Sequence, residues 1–442
     1  MTAKKLPSLK ALEKVCKTIN FQTSNQNIIV TSPYPEAAIA STIISQTISR
    51  LKSLFHISFQ QPVLTIDTID TLRERYSSSA IIIVGIDILG KKKIKKGKSY
   101  PLIIGGTSES EQIDSFKLGT DSTVAAAGYV FSKSLNGTSD YNLQLAAAGS
   151  LLHHGMNKSK RGASQEIIEL AKSNGLIEER KGFKLFGVTM LPLDEALRYS
   201  THPYLATISG NQQVCDAILN EAEIPIQKLR TPLSNLNSSE AQRLTSVLIT
   251  RLDPSTIPQL LGTDYIITRE RDISPIKFVS GIETISATAW TRNELGSLIS
   301  VLLGDRGGAL RDLLDSHMNH HKDVISTIHH LESNLQGDST TTTTTVKLTG
   351  SKTEILPDVG RIALESGIVD STRPVALDNG EVYTIVWPSS KLNTKMVLQK
   401  IRSNGTKIIA TSPKSITIIG NDEEKSLVLQ KIVQLNKGAG KK

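Results

Sequence analysis

Ala80-Ile81-Ile82-Ile83-Val84 is an unbroken, mostly β-branched run that ends at Gly85-Ile86-Asp87. A strand with one face in water alternates polar and apolar residues. This run does not alternate, so it predicts a strand over 80–86 buried on both faces, the mark of a parallel sheet covered by helices. Asn27-Ile28-Ile29-Val30 and Leu102-Ile103-Ile104 share its texture, and residues 55–59 and 63–66 read as further strands. A helix is expected at 36–54, with Ile39, Ile43, Ile44, Ile48 and Leu51 on one face. Others are expected at about 121–135, 142–154 and 164–174, the last stopped by Asn174-Gly175. A leading helix over 1–20 carries Leu6, Leu9, Leu12, Val15 and Ile19 at helical spacing. Residues 1–190 thus read as one α/β domain.

Past residue 190 the pattern turns helical. Ser239-Glu240-Ala241-Gln242 and Thr291-Arg292-Asn293-Glu294 read as capping boxes, in which hydroxyl and acid or amide satisfy each other's backbone donors. A long helix at 309–335 carries the stripe Leu310, Leu314, His317, His321, Val324, Ile328, Leu331 and Leu335. This places a helical region at 191–336. A threonine-rich linker covers 337–345. Residues 346–442 return to α/β texture and end in a basic tail, with strands at 346–349, 373–377, 382–387, 407–410 and 415–419 and helices at 358–366 and 422–435.

Ligands of open α/β sheets gather at the carboxyl ends of the strands. Here those ends carry few acids. Thr31-Ser32-Pro33-Tyr34-Pro35-Glu36 follows one strand and Gly105-Gly106-Thr107-Ser108 another. Two-metal hydrolysis needs several carboxylates or imidazoles around cations ~3.5–4 Å apart. Asp67, Asp70, Asp87, Glu36 and Glu109 are scattered and would have to converge to supply them.

Other candidate constellations are weaker. Gly85 to Lys92 approaches the phosphate-loop pattern GxxxxGK[ST], but Lys92 stands where a metal-binding hydroxyl belongs and no helix start follows. Lys91, Lys92, Lys93, Lys95, Lys96 and Lys98 form a dense basic cluster, a candidate contact for nucleic acid or an acidic partner and otherwise a solvated loop. His317 and His321 have i, i+4 metal-ligand spacing, with His320 beside them, yet no HExxH glutamate or CxxC accompanies them. They lie in the apolar stripe, so packed, hydrogen-bonded histidines are expected and no metal site. His153-His154 ends a helix, where a cation suits the dipole.

The stretch Leu191-Pro192-Leu193-Asp194-Glu195-Ala196-Leu197-Arg198-Tyr199-Ser200-Thr201-His202-Pro203-Tyr204-Leu205-Ala206-Thr207-Ile208-Ser209-Gly210-Asn211 is similar to the PLxEALxYSxxPYxPGxxGN segment of archaeal RecJ-like proteins. Arg230-Thr231-Pro232-Leu233 and Gly304-Asp305-Arg306 share the likeness. With the order of its domains, the chain resembles the RecJ-like branch of the DHH phosphoesterases. That superfamily includes the archaeal GINS-associated nuclease and the eukaryotic cell-division-cycle protein that joins MCM and GINS.

The resemblance implies a parallel-sheet DHH-like N-terminal domain, a helical middle and a small DHH-associated-like C-terminal domain. Its HxDxDG motif falls on Ser32 to Ala37, leaving Glu36 as the one metal-binding residue type. Its next acid falls near Gly85 or Asp87, the DHH triplet near Gly105, Gly106 and Thr107, and the helical Asp near Ser150. The glycine-histidine loop that grips substrate phosphate has no counterpart around Ala410 to Ser415. The implied protein is a pseudoenzyme without catalytic residues, cofactor or metal. It would be a scaffold of an archaeal replicative helicase, binding GINS and MCM, with single-stranded DNA as a further candidate ligand. The alternatives are a Mn²⁺- or Mg²⁺-dependent 5′→3′ single-strand exonuclease using displaced acids, and a regulatory subunit of an active RecJ-like nuclease.

The bulk numbers fit this frame. A chain of 442 residues accommodates two or three domains. Net charge is +9, which admits polyanionic partners. Aromatics are only 4%, poor material for a base-stacking platform. Cys16 and Cys215 are far apart and suit a reducing cytoplasm. Apolar runs are of strand length, so no membrane span is expected.

Overall fold

The computed structural model describes residues 26–90, 101–109, 115–116, 122–154, 162–335, 345–389, 391–401 and 407–440. The expected leading helix at 1–20, Lys91 to Lys98, Cys16 and Thr340 to Thr344 lie outside these residues. Backbone contacts gather the chain into two units. The first takes residues 1–178, 267–269 and 295–310; the second takes 179–266, 270–294 and 311–442.

In the first unit β1 (Gln26–Thr31) leads into α1 (Pro35–Arg50), β2 (Leu54–Phe59), β3 (Val63–Thr65), α2 (Ile66–Arg75), β4 (Ala80–Val84), β5 (Asp87–Leu89), β6 (Leu102–Ile104) and β7 (Ser115–Phe116). Then come α3 (Val124–Ser134), α4 (Asp140–His154) and α5 (Gly162–Ser173). The sheet runs β2-β1-β4-β6-β7, with every pair parallel. Ile28 to Val30 and Ile82 to Val84 have no exposure, as their unbroken apolar texture predicts. Strand β4 ends at Val84 rather than running to Ile86, because Gly85 takes a left-handed turn with φ 66°. The phosphate-loop reading fails here too: β5 lies between Gly85 and Gly90 and pairs with β3.

The small residues of this unit bring helices close. A Cβ on Gly128 would stand 2.9 Å from the Ala40 Cβ, and one on Gly149 2.5 Å from the Ala125 Cβ. Both are below ordinary contact, so α1, α3 and α4 approach at a spacing that larger side chains forbid. Glu36 in the first turn of α1 and Arg50 in its last complement the helix dipole.

The second unit holds β8 (Ile177–Phe183) for most of its length, then α6 (Leu193–Arg198), α7 (Gln212–Glu221), α8 (Ser238–Arg251), the short α9 (Ile257–Leu260) and β9 (Leu261–Ile267), which pairs with β8. The expected helical region therefore contains a strand that its sequence did not announce. Helix α10 (Val279–Thr291) belongs to this unit and α11 (Leu295–Leu303) to the first, followed by the long α12 (Gly308–Leu335). The C-terminal sheet comprises β10 (Thr345–Lys347), β11 (Val375–Asp378), β12 (Tyr383–Val386), β13 (Lys407–Ser412) and β14 (Ser415–Ile419), in the order β10-β11-β12-β14-β13. Only β10–β11 is parallel. Helix α13 (Leu356–Glu365) precedes β11, α14 (Thr394–Lys400) precedes β13, and α15 (Asp422–Gly440) closes the chain.

Both expected capping boxes are corrected. The box sits two residues earlier, on Asn237 and Glu240: the Asn237 side chain accepts from the Glu240 N–H, and the Glu240 carboxylate accepts from the Asn237 N–H. Thr291 is the last residue of α10 rather than a cap. Asn293 turns left-handed with φ 58°, and Glu294 accepts from Arg292 and from Ser316.

Candidate functional site

The strand ends of the first unit are the place to look, and most of the sequence-predicted positions do meet there. Gly85 and Gly105 both sit at positive φ, 66° and 67°, at the ends of β4 and β6. A Cβ at Gly85 would stand 2.8 Å from the Ala37 Cβ and 2.9 Å from Ser32 Oγ. One at Gly105 would stand 2.8 Å from a Val124 methyl, and one at Gly106 only 1.9 Å from the Ile86 carbonyl oxygen. Ser32, Gly85 and Gly105 therefore converge on Ala37 and Val124 in direct contact, with no room for longer side chains at the glycines.

The polar groups nearby are tied to the protein itself. Asp87, buried, accepts from the Thr107 N–H at 2.9 Å, which pins the β6 end to the β4 end. Glu109 accepts from the Gly90 N–H at 2.7 Å. Ser150, in the middle of α4, has no exposure, and its hydroxyl lies 3.0 Å from that of Thr123. Thr123 in turn N-caps α3 by accepting from the Ala126 N–H at 3.1 Å, while its own N–H donates to Ser164 Oγ at 2.9 Å. Ser164, expected to start α5, is thus a buried residue inside that helix that supports Thr123. Tyr34 and Glu36 are half-buried at the start of α1.

This donor set does not suit a divalent cation. Mn²⁺ and Mg²⁺ take oxygen ligands with carboxylates prominent. The strand ends offer one buried serine hydroxyl without a partner, Ser32 Oγ, two glycines whose side-chain space is filled, and an aspartate held by a backbone N–H. Asp67 and Asp70 lie on α2, where Asp70 pairs with Arg73 at 3.5 Å. Among the described residues no three His, Cys, Asp or Glu side chains are arranged to hold a metal. The displaced-ligand arrangement, with Glu36, Asp67, Asp70, Asp87 and Glu109 converging, is not what the fold builds.

A second constellation lies in the second unit. The α12 stripe buries Leu313, His317, His320, His321, Val324, Ile325, Ile328 and Leu331, so its upper part runs through Leu313 rather than Leu310 and Leu314. The His317 and His321 rings pack against each other at a tilt of 47°, with centroids 4.0 Å apart. Their Nδ1 atoms lie 2.9 Å from Thr288 Oγ1 and 2.8 Å from Thr201 Oγ1. His320 Nε2 lies 2.9 Å from Asp358 Oδ2 on α13. Arg361 donates to Asp358 at 3.2 Å and to the Thr201 carbonyl at 2.9 Å. Burial holds the His321 imidazole down to about 3 and puts His317 well below the usual histidine range. The Asp358 carboxyl lies well below its usual range: burial opposes ionisation, but the His320 hydrogen bond and the Arg361 charge outweigh it.

These are packed, hydrogen-bonded histidines, as their place in the stripe suggested. Sequence reasoning missed their partners Thr201, Thr288, Asp358 and Arg361, which are far away along the chain. No local signal marks them. Cys215 is no nucleophile: it is fully buried and its thiol is pushed up to about 12 by desolvation. His329 Nε2 lies 2.9 Å from the Ser209 carbonyl.

The architecture defines a mixed α/β protein with a parallel sheet in its first unit. No family model matches the sequence, and no relative is found among curated proteins. Solved structures do match. The chain is similar to CDC45 from Entamoeba histolytica, with a TM-score of 0.59 and 11% identity over 96% of this chain and 97% of that one. RecJ from Thermus thermophilus in complex with Mn²⁺ gives a TM-score of 0.47 and 10% identity. That match covers 99% of this chain and 55% of RecJ, so the chain spans about half the length of that protein. The expectation of a mixed α/β fold with a parallel sheet is met, and the fold shared over nearly the whole of both chains is that of CDC45.

Among the described residues no helix is long and apolar enough to cross a membrane.

Proposed function

We propose that this protein is a non-catalytic, RecJ-like DNA replication factor: a scaffold that joins GINS and MCM in a helicase of the CMG type. One observation carries the reading. A chain that shares its fold with CDC45 over nearly its whole length has strand ends filled by Ala37 and Val124 where a phosphoesterase of this architecture needs acids and imidazoles. The chain keeps that architecture for binding. Single-stranded DNA is a secondary ligand, with the lysines from Lys91 to Lys98 as its candidate contact.

Co-purification of the tagged chain with GINS and MCM of the same organism tests the proposal, and recovery of a stoichiometric complex is the expected result. Absence of any complex at low ionic strength sinks the scaffold reading. Manganese-dependent digestion of labelled single-stranded DNA, abolished by Asp87→Ala, would instead establish the exonuclease. Nuclease activity that co-purifies with a second chain would point to the regulatory-subunit alternative.

A further inference from the structure

We infer that the emptied strand-end site has become a closed structural tie, and that restoring its ligand residues will not restore cation binding. The inference rests on the proposed placement of the former motif positions at Ser32, Gly85, Gly105, Gly106 and Ser150. It goes further, because loss of ligands alone would leave a cavity that a few substitutions could refill.

The geometry shows a different outcome. Val124, the first residue of α3, presses its methyls to within 2.8–2.9 Å of where a Gly105 Cβ would be, and Ala37 of α1 does the same at Gly85. A side chain at Gly106 would meet the Ile86 backbone carbonyl, which cannot swing away as a flexible side chain can. Left-handed φ at Gly85 and Gly105 adds a backbone penalty for any residue with a Cβ.

The second half of the inference is the role taken over. Thr123, Ser150 and Ser164 are 2% exposed or less and sit on or beside three different helices. Thr123 accepts from the Ala126 N–H to cap α3, meets the Ser150 hydroxyl of α4 at 3.0 Å, donates its own N–H to Ser164 Oγ of α5, and accepts at its hydroxyl from Ser164 at 3.4 Å. One short hydroxyl cluster thus fixes the start of α3, and with it Val124, against α4 and α5. Buried hydroxyls that satisfy one another couple energetically, since removing one orphans the others. A carboxylate at Ser150 would bring a buried charge into this closed cluster of neutral hydroxyls.

Two measurements on the full chain test this. In the first, Gly85→Asp, Gly105→Asp, Gly106→His and Ser150→Asp are combined, with and without Val124→Gly, and Mn²⁺ binding is followed by isothermal titration calorimetry. Both variants are expected to lose the cooperative unfolding of the first unit, read by hydrogen exchange at Ile82 to Val84, and to bind Mn²⁺ no more tightly than wild type. A folded variant that binds Mn²⁺ at least tenfold more tightly overturns the inference. The second measurement does not depend on those variants folding. In a double-mutant cycle of Thr123→Val and Ser150→Ala, the double variant should fall short of the sum of the singles by about tenfold in the unfolding constant. Strict additivity overturns the tie. Neither result bears on GINS and MCM binding, so failure here and failure of the proposed function are separately visible.

Discussion

Acidification should destabilise the second unit before its carboxylates titrate. His317 and His321 are buried and neutral, and in the unfolded chain each recovers a pKa near 6.5. A folded-state pKa below the unfolded one means that the unfolded chain takes up the proton first. Stability therefore has its full value above about pH 6.5 and falls as pH drops from there towards the folded pKa, about 3 for His321. At pH 5 the loss is RT ln(1 + 10^1.5), about 2 kcal/mol for His321, and His317 adds a loss of the same sign. His202 is left out of the sum because its side chain retains 28% exposure beside Asp358.

The groups facing the pair do not reverse the sign. Asp358 favours the charged ring, whereas Arg361, His320 and the burial itself oppose it. Asp358 has its own depressed pKa, so its contribution is lost only below the ordinary carboxylate range and leaves the interval from pH 8 to 5 to the histidines. The assay is available in the chain. Its two tryptophans, Trp290 and Trp387, are both buried and both in the second unit, so fluorescence-detected urea unfolding reports that unit alone. Unfolding at pH 8, 6.5, 5.5 and 5 at constant ionic strength should give a stability falling to at least about 2 kcal/mol below the pH 8 value. His321→Gln should remove about 2 kcal/mol of the pH-dependent part, and the double variant the remainder. A stability that is flat from pH 8 to 5, or a drop of the same size in the His317→Gln/His321→Gln double variant, refutes the reasoning.

Four further outcomes are expected. Asp358→Asn removes the charge that faces Arg361 and His320 in a buried site, and should cost about 3 kcal/mol in the same fluorescence assay. Gly106→Ala puts a methyl against the Ile86 carbonyl and should cost about 3 kcal/mol, read as lost hydrogen-exchange protection of β4 and β6. Asn237→Ala removes the cap of α8 and should cost about 1 kcal/mol in thermal unfolding, whereas Ser239→Ala, at the position the sequence pattern favours, should cost less. The wild-type chain with excess Mn²⁺ should leave labelled single-stranded DNA intact, and Asp87→Asn should change neither that result nor any binding of GINS and MCM.

By itself the sequence determined the parallel sheet, the long α12 and the C-terminal α/β region, because each rests on local periodicity. Runs such as Ala80 to Val84 leave no polar face, and the α12 stripe repeats every three or four residues whatever it packs against. The same local information placed Ser32, Gly85, Gly105, Gly106 and Ser150 at strand ends and in a helix. Capping failed in sequence because Ser239 with Gln242 and Asn237 with Glu240 both satisfy the pattern, and only the backbone path chooses between them. Tertiary structure alone decided what fills the strand-end site. Val124 reaches Gly105, Ala37 reaches Gly85, and Ser150 reaches Thr123 across 27 residues of chain. It also decided that Asp358 meets His320 and that Thr201 and Thr288 meet His321 and His317. Such contacts follow from how helices stack on a sheet, and no residue pattern within one segment encodes the distance to another.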